Sequence, residues 1–447
     1  MAKSEEIIII GGGASGLAAA SKLYQNGVTN VTILEASERL GGRAYSVPTS
    51  LLTRNDQDGY LEMGAQWIHG QIGSPSYKIA NENGLVDPEP SNLEGIILVR
   101  ENEPISENWD EDLWTLFEIM EEEPENKDIF PGISMEQYIL THKNTTLYSN
   151  VSAERQKYIK PFLDLYNRYQ QGDWSADWNN LSYNSIINYD VPGGPEGSDY
   201  TRFKAEHCYN DLINIIKKDI PSDKIHLHSP VSSVNYTSDT IKVELEDGSI
   251  LEADKVVFTG SLGVLKDEII TFDPALPEDK QSAIEMMGFG VLAKIYLEFD
   301  QPWAAQDWVY GFSFMFPDAI EYTEDDAEKD WTRFFSGIYA VDFHPTIAEL
   351  WIGGFGAIKM ESLSGYQLRQ DIEKFLHKFK PGMNGLINIQ NTSQILTITV
   401  SIKHTNHANA RLRDSPFFIL FRDQNGIVNH TFVDHTPFKI QHHKWPD

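Results

Sequence analysis

The chain opens on four consecutive isoleucines, Ile7–Ile10, a short β-branched run of the kind that forms a strand buried on both faces. It breaks at Gly11-Gly12-Gly13-Ala14-Ser15-Gly16. Beyond the break Leu17, Ala20 and Tyr24 recur at helical spacing, and Gly27 stands where a helix C-terminal cap belongs. A second apolar run, Val31–Leu34, predicts another strand and ends on Glu35. From about residue 86 to 215 the pattern turns helical and aromatic. Tyr166, Tyr169, Trp174 and Trp178 are read there as core, because aromatics at such spacing more often pack than line a cavity. Strand patterns then return at residues 224–228 and 231–234. A hairpin follows within 235–251, turning at Asp247-Gly248, and then an apolar strand at 256–258. Residues 292–299 alternate, with Ala293, Ile295, Leu297 and Phe299 on one face and Lys294 and Tyr296 on the other. On periodicity alone Lys294 is a solvated lysine on an outward face.

At 447 residues the chain is too long for one ordinary core, so two domains are expected. Apolar residues at 41% and charged residues at 23% fit a soluble globular protein. No run approaches the ~18 apolar residues of a membrane helix, and no basic-then-apolar leader is visible, so neither a membrane nor a secretory route is expected. The single cysteine, Cys208, excludes an internal disulfide and suits a reducing compartment, which makes the expected location cytoplasmic. The net charge of −30, from 66 acidic against 36 basic residues, opposes nucleic-acid binding and favours cationic small molecules, although solubility is the commoner reason for such a surface.

The opening motif carries chemistry of its own. Gly11 allows a tight turn, Gly13 lets the backbone approach a pyrophosphate, and Gly16 permits close packing of helix on strand. Ala14 and Ser15 begin the helix, whose N-terminal N–H groups suit phosphate. Glu35, at the end of the second strand, is placed to accept hydrogen bonds from ribose hydroxyls. Strand, glycines, helix, second strand and acid arrive in order, which points to a dinucleotide rather than to a chance glycine-rich turn.

Residues 35–43 (through Leu40-Gly41-Gly42-Arg43), residues 62–70 (Glu62-Met63-Gly64-Ala65-Gln66-Trp67-Ile68-His69-Gly70), Gly73-Ser74-Pro75, residues 253–265, Gly288-Phe289-Gly290, Gln301-Pro302-Trp303 and Trp351-Ile352-Gly353-Gly354 together resemble the flavin-containing amine oxidase superfamily, in particular its polyamine and spermine oxidase type. The resemblance implies an α/β fold: a discontinuous Rossmann-like FAD-binding domain with an α+β substrate domain. The implied boundaries are 1–85 and 216–275 for the FAD domain, 86–215 and 276–390 for the substrate domain, and 391–447 for a tail. It implies FAD as cofactor, with Arg43 toward its phosphates, Gly64 and Ala65 beside the isoalloxazine ring and the backbone of Val231 at the adenine. His69 would face the substrate and Lys294 would reach flavin N5 through a water, both in catalytic roles. Glu62 is a candidate to meet a distal substrate ammonium. Without the resemblance, His69 reads as an ordinary loop histidine. The implied partners are a cationic amine and dioxygen.

The resemblance stops near residue 360. The family's late tryptophan segment, Gly-Glu-x-Thr motif and Gly-Ala pair are missing, and after Gly385 the only glycine is Gly426. Residues 401–447 hold six Lys/Arg against four Asp/Glu, and six histidines: His404, His407, His430, His435, His442 and His443. No cysteine or carboxylate spacing makes these a metal site. The gap leaves a second functional expectation beside the first, a catalytically silent FAD-fold relative with a binding or regulatory role.

Overall fold

The computed structural model describes residues 5–51, 58–91, 93, 95–103, 116–117, 119–120, 132–184, 193–195, 198–299, 301–305, 309–384 and 386–387, together with the backbones of three late strands at 396–401, 417–422 and 428–433. Most of the tail histidines therefore lie outside the described residues.

The isoleucine run is the centre of the first sheet. Ile7–Ile10 pairs in parallel with Lys255–Phe258 on one side and with Val31–Leu34 on the other, and Ile225–His226 continues the parallel order beyond. Alternation splits the isoleucines between two cores. Ile7 and Ile9 pack with Leu17, Ala20, Val31 and Ile33, whereas Ile8 and Ile10 pack with Val234, Val243, Val256 and Phe258. Burial on both faces explains why the run shows no polar alternation. The helix Ala14–Gln25 follows the glycines and ends at Asn26, with Gly27 at φ +80°, so the expected C-terminal stop is present. The 235–251 hairpin also forms, pairing Ile241–Leu245 with Ile250–Ala253. Its turn holds Gly248 at φ +84°.

The second large sheet runs in the order Leu396–Ser401, Leu292–Glu298, His344–Gly353, Phe335–Val341, Gly311–Met315, Ile96–Arg100. One face carries Ala293, Ile295, Leu297, Phe314, Leu350 and Ile352. Against them the helix Gly365–Met383 lays Leu368, Ile372, Phe375, Leu376 and Phe379, a stripe at i, i+3, i+4 spacing. The helix Ile159–Trp174 is fixed to the same sheet by Arg168, whose guanidinium donates to the carbonyls of Phe314 and Phe335 and pairs with Asp164. Tyr166 and Trp178 lie in a core with Phe162 and Tyr138, in line with the packing expectation.

The strand Leu396–Ser401 pairs antiparallel with Leu292–Glu298, and Phe417–Arg422 pairs antiparallel with Lys255–Phe258 while forming a hairpin with Val428–Val433. The late part of the chain thus contributes backbone to both large sheets. Among the described residues no helix is long and apolar enough to cross a membrane.

Candidate functional site: a dinucleotide cradle and a buried lysine

Gly11, at φ +110°, turns the chain off the first strand. A Cβ on Gly16 would lie 2.0 Å from the Gly11 carbonyl oxygen, so this glycine is required for the helix to sit down on the turn. Gly13 differs. Its backbone is extended (φ −73°, ψ 178°) and a Cβ there would meet no protein atom within 4 Å. Among the described residues nothing demands a glycine at 13, which fits a close approach from outside the chain. The helix start at Ala14 has no side-chain cap and no acidic residue in its first turn, leaving Ala14 and Ser15 in a field that suits an anion.

The segment after Glu35 returns to the same turn. Gly41 N donates to Gly12 O at 3.0 Å, and Ala65 N donates to Arg43 O at 3.1 Å. A Cβ on Gly64 would lie 1.7 Å from Arg43 O, so the 64–65 segment reaches the cradle only as glycine. Burial lowers Arg43 to about 10. A guanidinium desolvated in this way is suited to a bidentate anion such as phosphate. Glu35 accepts from Gly12 N (2.7 Å) and Ser37 N (2.8 Å), which fixes its carboxylate at the strand end. Its backbone is held to the 226–229 segment that leads into Val231 (Glu35 N to His226 O and Ser229 N to Glu35 O, each 2.8 Å). Val231 itself is buried in the core with Val243. Contacts among Gly11, Gly12, Gly16, Glu35, Gly41, Arg43, Gly64 and Ala65 hold these segments around the turn from which Gly13, Ala14 and Ser15 start the helix, with Val231 following the strand-end segment, an arrangement that fits a flavin dinucleotide.

Lys294 reaches the Gly64 turn from the second sheet. The outward, solvated position that periodicity assigns to it is wrong, since the residue is 1% exposed. The alternation itself is right. The second face, however, is covered by residues 60–66, which period-two reasoning within one strand cannot see. Tyr296 Oη donates to Glu62 O at 2.7 Å, while Lys294 Nζ donates to Gly64 O at 3.2 Å and also to Gln66 Oε1. Nζ lies 4.6 Å from the Trp351 ring centroid, and Trp351 stacks with Trp67 at 6.0 Å and 12°. Burial lowers the Lys294 pKa, opposed by Glu349 and then Glu62.

The family model for flavin containing amine oxidoreductases matches residues 14–399. The chain belongs to that family. Its cofactor is FAD, consistent with the cradle, and the match runs past residue 360, where the motif resemblance ends. This amine oxidoreductase is 28% identical to a probable polyamine oxidase 5 of Arabidopsis thaliana, over 83% of its own length and 75% of that protein. It is 25% identical to the human peroxisomal N(1)-acetyl-spermine/spermidine oxidase (80% and 74% covered) and 25% identical to polyamine oxidase 1 of rice (85% and 80%).

Two other expected site residues of this flavoprotein sit less directly. His69 is exposed and joins the lysine only in series: its ring is 6.5 Å from Tyr200, whose ring is 5.7 Å from Trp67. The Glu62 carboxyl makes its hydrogen bonds elsewhere, accepting from Ser46 Oγ at 2.6 Å and Tyr209 N at 2.9 Å, while still acting on Lys294 through its charge. What it gives the lysine is a backbone carbonyl, 3.4 Å from Nζ. A cavity lined by Tyr60, Glu62, Gln66, Arg202, Tyr296 and His344, among others, borders the same network. Sequence reasoning missed Gln66 and Glu349. The only local signal for Glu349 is a lone carboxylate inside the apolar run Ile347 to Ile352.

Burial raises the Glu62 carboxyl from 4.5 to about 7, against its hydrogen bonds to Ser46 and Tyr209. A raised folded-state value gives stability that is fully present below about 4.5 and is lost as pH rises through about 7. The ceiling is ~3 kcal/mol, at ~1.4 kcal/mol per unit. Glu62→Gln is therefore expected to flatten the fall in stability between about pH 5 and pH 8 by up to that amount. Denaturant melts of both proteins at the two pH values read it directly, and parallel pH dependences would refute it.

Proposed function

We propose that this flavin amine oxidoreductase oxidises polyamines, such as spermine, spermidine or their N-acetylated forms, at a secondary amine. Water would hydrolyse the resulting imine, so the products would be an aldehyde, a shorter amine and hydrogen peroxide. The observation that carries the reading is the fully buried Lys294 held on the carbonyl of Gly64, at the turn next to the cofactor surface, with the stacked Trp67 and Trp351 beside it. Support for the substrate class comes from the residue 62–70 motif, the names of the relatives and the acidic balance of the chain.

Bound FAD supplies a two-electron acceptor for the α-carbon of the amine, and dioxygen takes the electrons on to give the peroxide. The remaining steps fall to the protein. A protonated amine has no lone pair to help expel hydride, so the reacting nitrogen must be neutral. Lys294, its pKa lowered by burial, is placed to take up the proton this nitrogen sheds, directly or through a water. Trp67 and Trp351 offer flat apolar walls that exclude water. His69, on the exposed side of Tyr200, is assigned to the substrate entrance. The cytoplasm is the proposed location.

The purified protein is expected to show a flavin band near ~450 nm that bleaches on anaerobic addition of spermine or an N-acetylated polyamine, with peroxide released once air is admitted. A flavin band that no amine bleaches would leave a silent relative, the reading favoured by the missing late motifs. Colourless protein that takes up no added FAD would overturn the cofactor assignment as well.

A further inference from the structure

The lysine's contacts extend one residue further than the proposed chemistry uses. Gln66 accepts from Lys294 Nζ through Oε1 and donates through Nε2 to Glu349 Oε1 at 3.1 Å. A single amide therefore spans an amine that is 1% exposed and a carboxylate that is 0% exposed. Its polarity runs the right way for an ion pair, with oxygen toward the cation and N–H toward the anion. The Trp351 side chain also hydrogen-bonds this carboxyl, and burial raises its pKa against the pull of Lys294.

A buried carboxylate is costly unless a charge of opposite sign lies near it. Glu349 stands opposite Tyr296 in the strand register, on the same face as Lys294 and Trp351. The titratable groups acting on it or on Lys294 are Glu62 from the Tyr60–Glu62 strand, Tyr296 from the lysine's own strand, Tyr310 ahead of Gly311–Met315, and Asp342 at the turn before His344–Gly353. The flanking strand Leu396–Ser401 carries no titratable side chain. Arg202 is engaged by Asp342 at 2.8 Å and by Asp87 at 3.6 Å. Within this set Lys294 is the cation that remains for Glu349. In the other direction, Glu349 is the first of the two carboxyls that oppose the effect of burial on Lys294.

We propose that Glu349 is a positioning residue for the site lysine: through the Gln66 amide it supplies the counter-charge facing Lys294 and holds Nζ aimed at the Gly64 turn. The functional meaning of this pair rests on the amine-oxidising role proposed for Lys294, but its existence does not. Without the carboxylate, Lys294 would sit neutral over a wider pH range. Without the amide, its Nζ would lose a fixed direction as well as its link to the anion.

The test is a pH titration of the Lys294 ammonium by nitrogen-detected NMR in protein labelled at lysine Nζ, the resonance being assigned by its loss in Lys294→Met. Removing a negative charge disfavours the ammonium, so Glu349→Gln is expected to lower the pH at which the signal is lost by about one unit or more. Gln66→Met, which cuts the bridge and leaves the carboxylate, is expected to move it the same way by a smaller amount, and Glu349→Asp to recover part of the shift. A titration unmoved in Glu349→Gln and Gln66→Met overturns the proposal. Should Glu349→Gln not fold, Gln66→Met decides alone, an unmoved titration again being fatal. In the FAD-loaded protein the pH profile of anaerobic flavin reduction should shift downward with the titration. If no amine reduces the flavin, the polyamine reading fails while the NMR result still decides the pair.

Discussion

Lys294→Met should reduce the second-order rate of anaerobic flavin reduction by an amine ~100-fold or more, the range for a positioned proton-transfer group. The expectation follows from geometry. Nζ has a tether on each side, Gly64 O and Gln66 Oε1, and lies over the Trp351 ring, so its position is fixed by the fold rather than by a flexible stem. Methionine keeps the length of the side chain and removes the donor. The acceptors left behind, Gly64 O and the Gln66 amide, cost about 1–3 kcal/mol where they find no other partner, partly offset by no longer burying an amine. FAD content and melting should therefore change little beside the rate. A rate within threefold of the native enzyme would remove Lys294 from the chemistry.

The second large effect is a separation of folding from cofactor binding at two neighbouring glycines. Gly13→Ala should leave the cofactor-free protein as stable as before, because its φ of −73° suits alanine and the new methyl meets no protein atom within 4 Å. The same methyl would intrude where a diphosphate approaches the backbone. Overpacking of about 1–3 kcal/mol predicts a FAD dissociation constant weakened about 5- to 150-fold. Gly16→Ala should behave in the opposite sense, since its methyl would fall 2.0 Å from Gly11 O and 2.8 Å from Thr259 Oγ1, forcing the turn and helix apart with or without ligand. Melting of the two apo variants, followed by fluorescence titration with FAD, distinguishes them. If Gly13→Ala melts early, or binds FAD normally, the assignment of that surface to the diphosphate fails.

What the sequence made readable is local in the chain. The first strand, turn, helix and second strand span about thirty residues, and the helix period and stop signal are set within that unit, although Ile8 and Ile10 pack on Val234, Val243, Val256 and Phe258. Lys294 was legible only through family resemblance. Its own strand showed two faces and could not show that Tyr60 to Gln66, more than two hundred residues earlier, would lie across the second one. The bridge from Gln66 to Glu349 joins residues 283 apart, and no periodicity reports such a meeting. Glu62 illustrates the converse limit. Its place in the motif was plain, but the direction of its carboxyl depends on Ser46 and Tyr209, which come from elsewhere in the chain.

The strand that bears Lys294 has two neighbours in its sheet, and one of them, Leu396–Ser401, belongs to the part of the chain where family motifs have faded. Those six residues screen a full row of peptide N–H and C=O groups on Leu292–Glu298. Clipping the chain ahead of Leu396 would turn an interior strand into a border strand, open to pairing with any other extended chain. Resistance to aggregation and integrity of the reaction centre therefore depend on the same short ribbon of backbone.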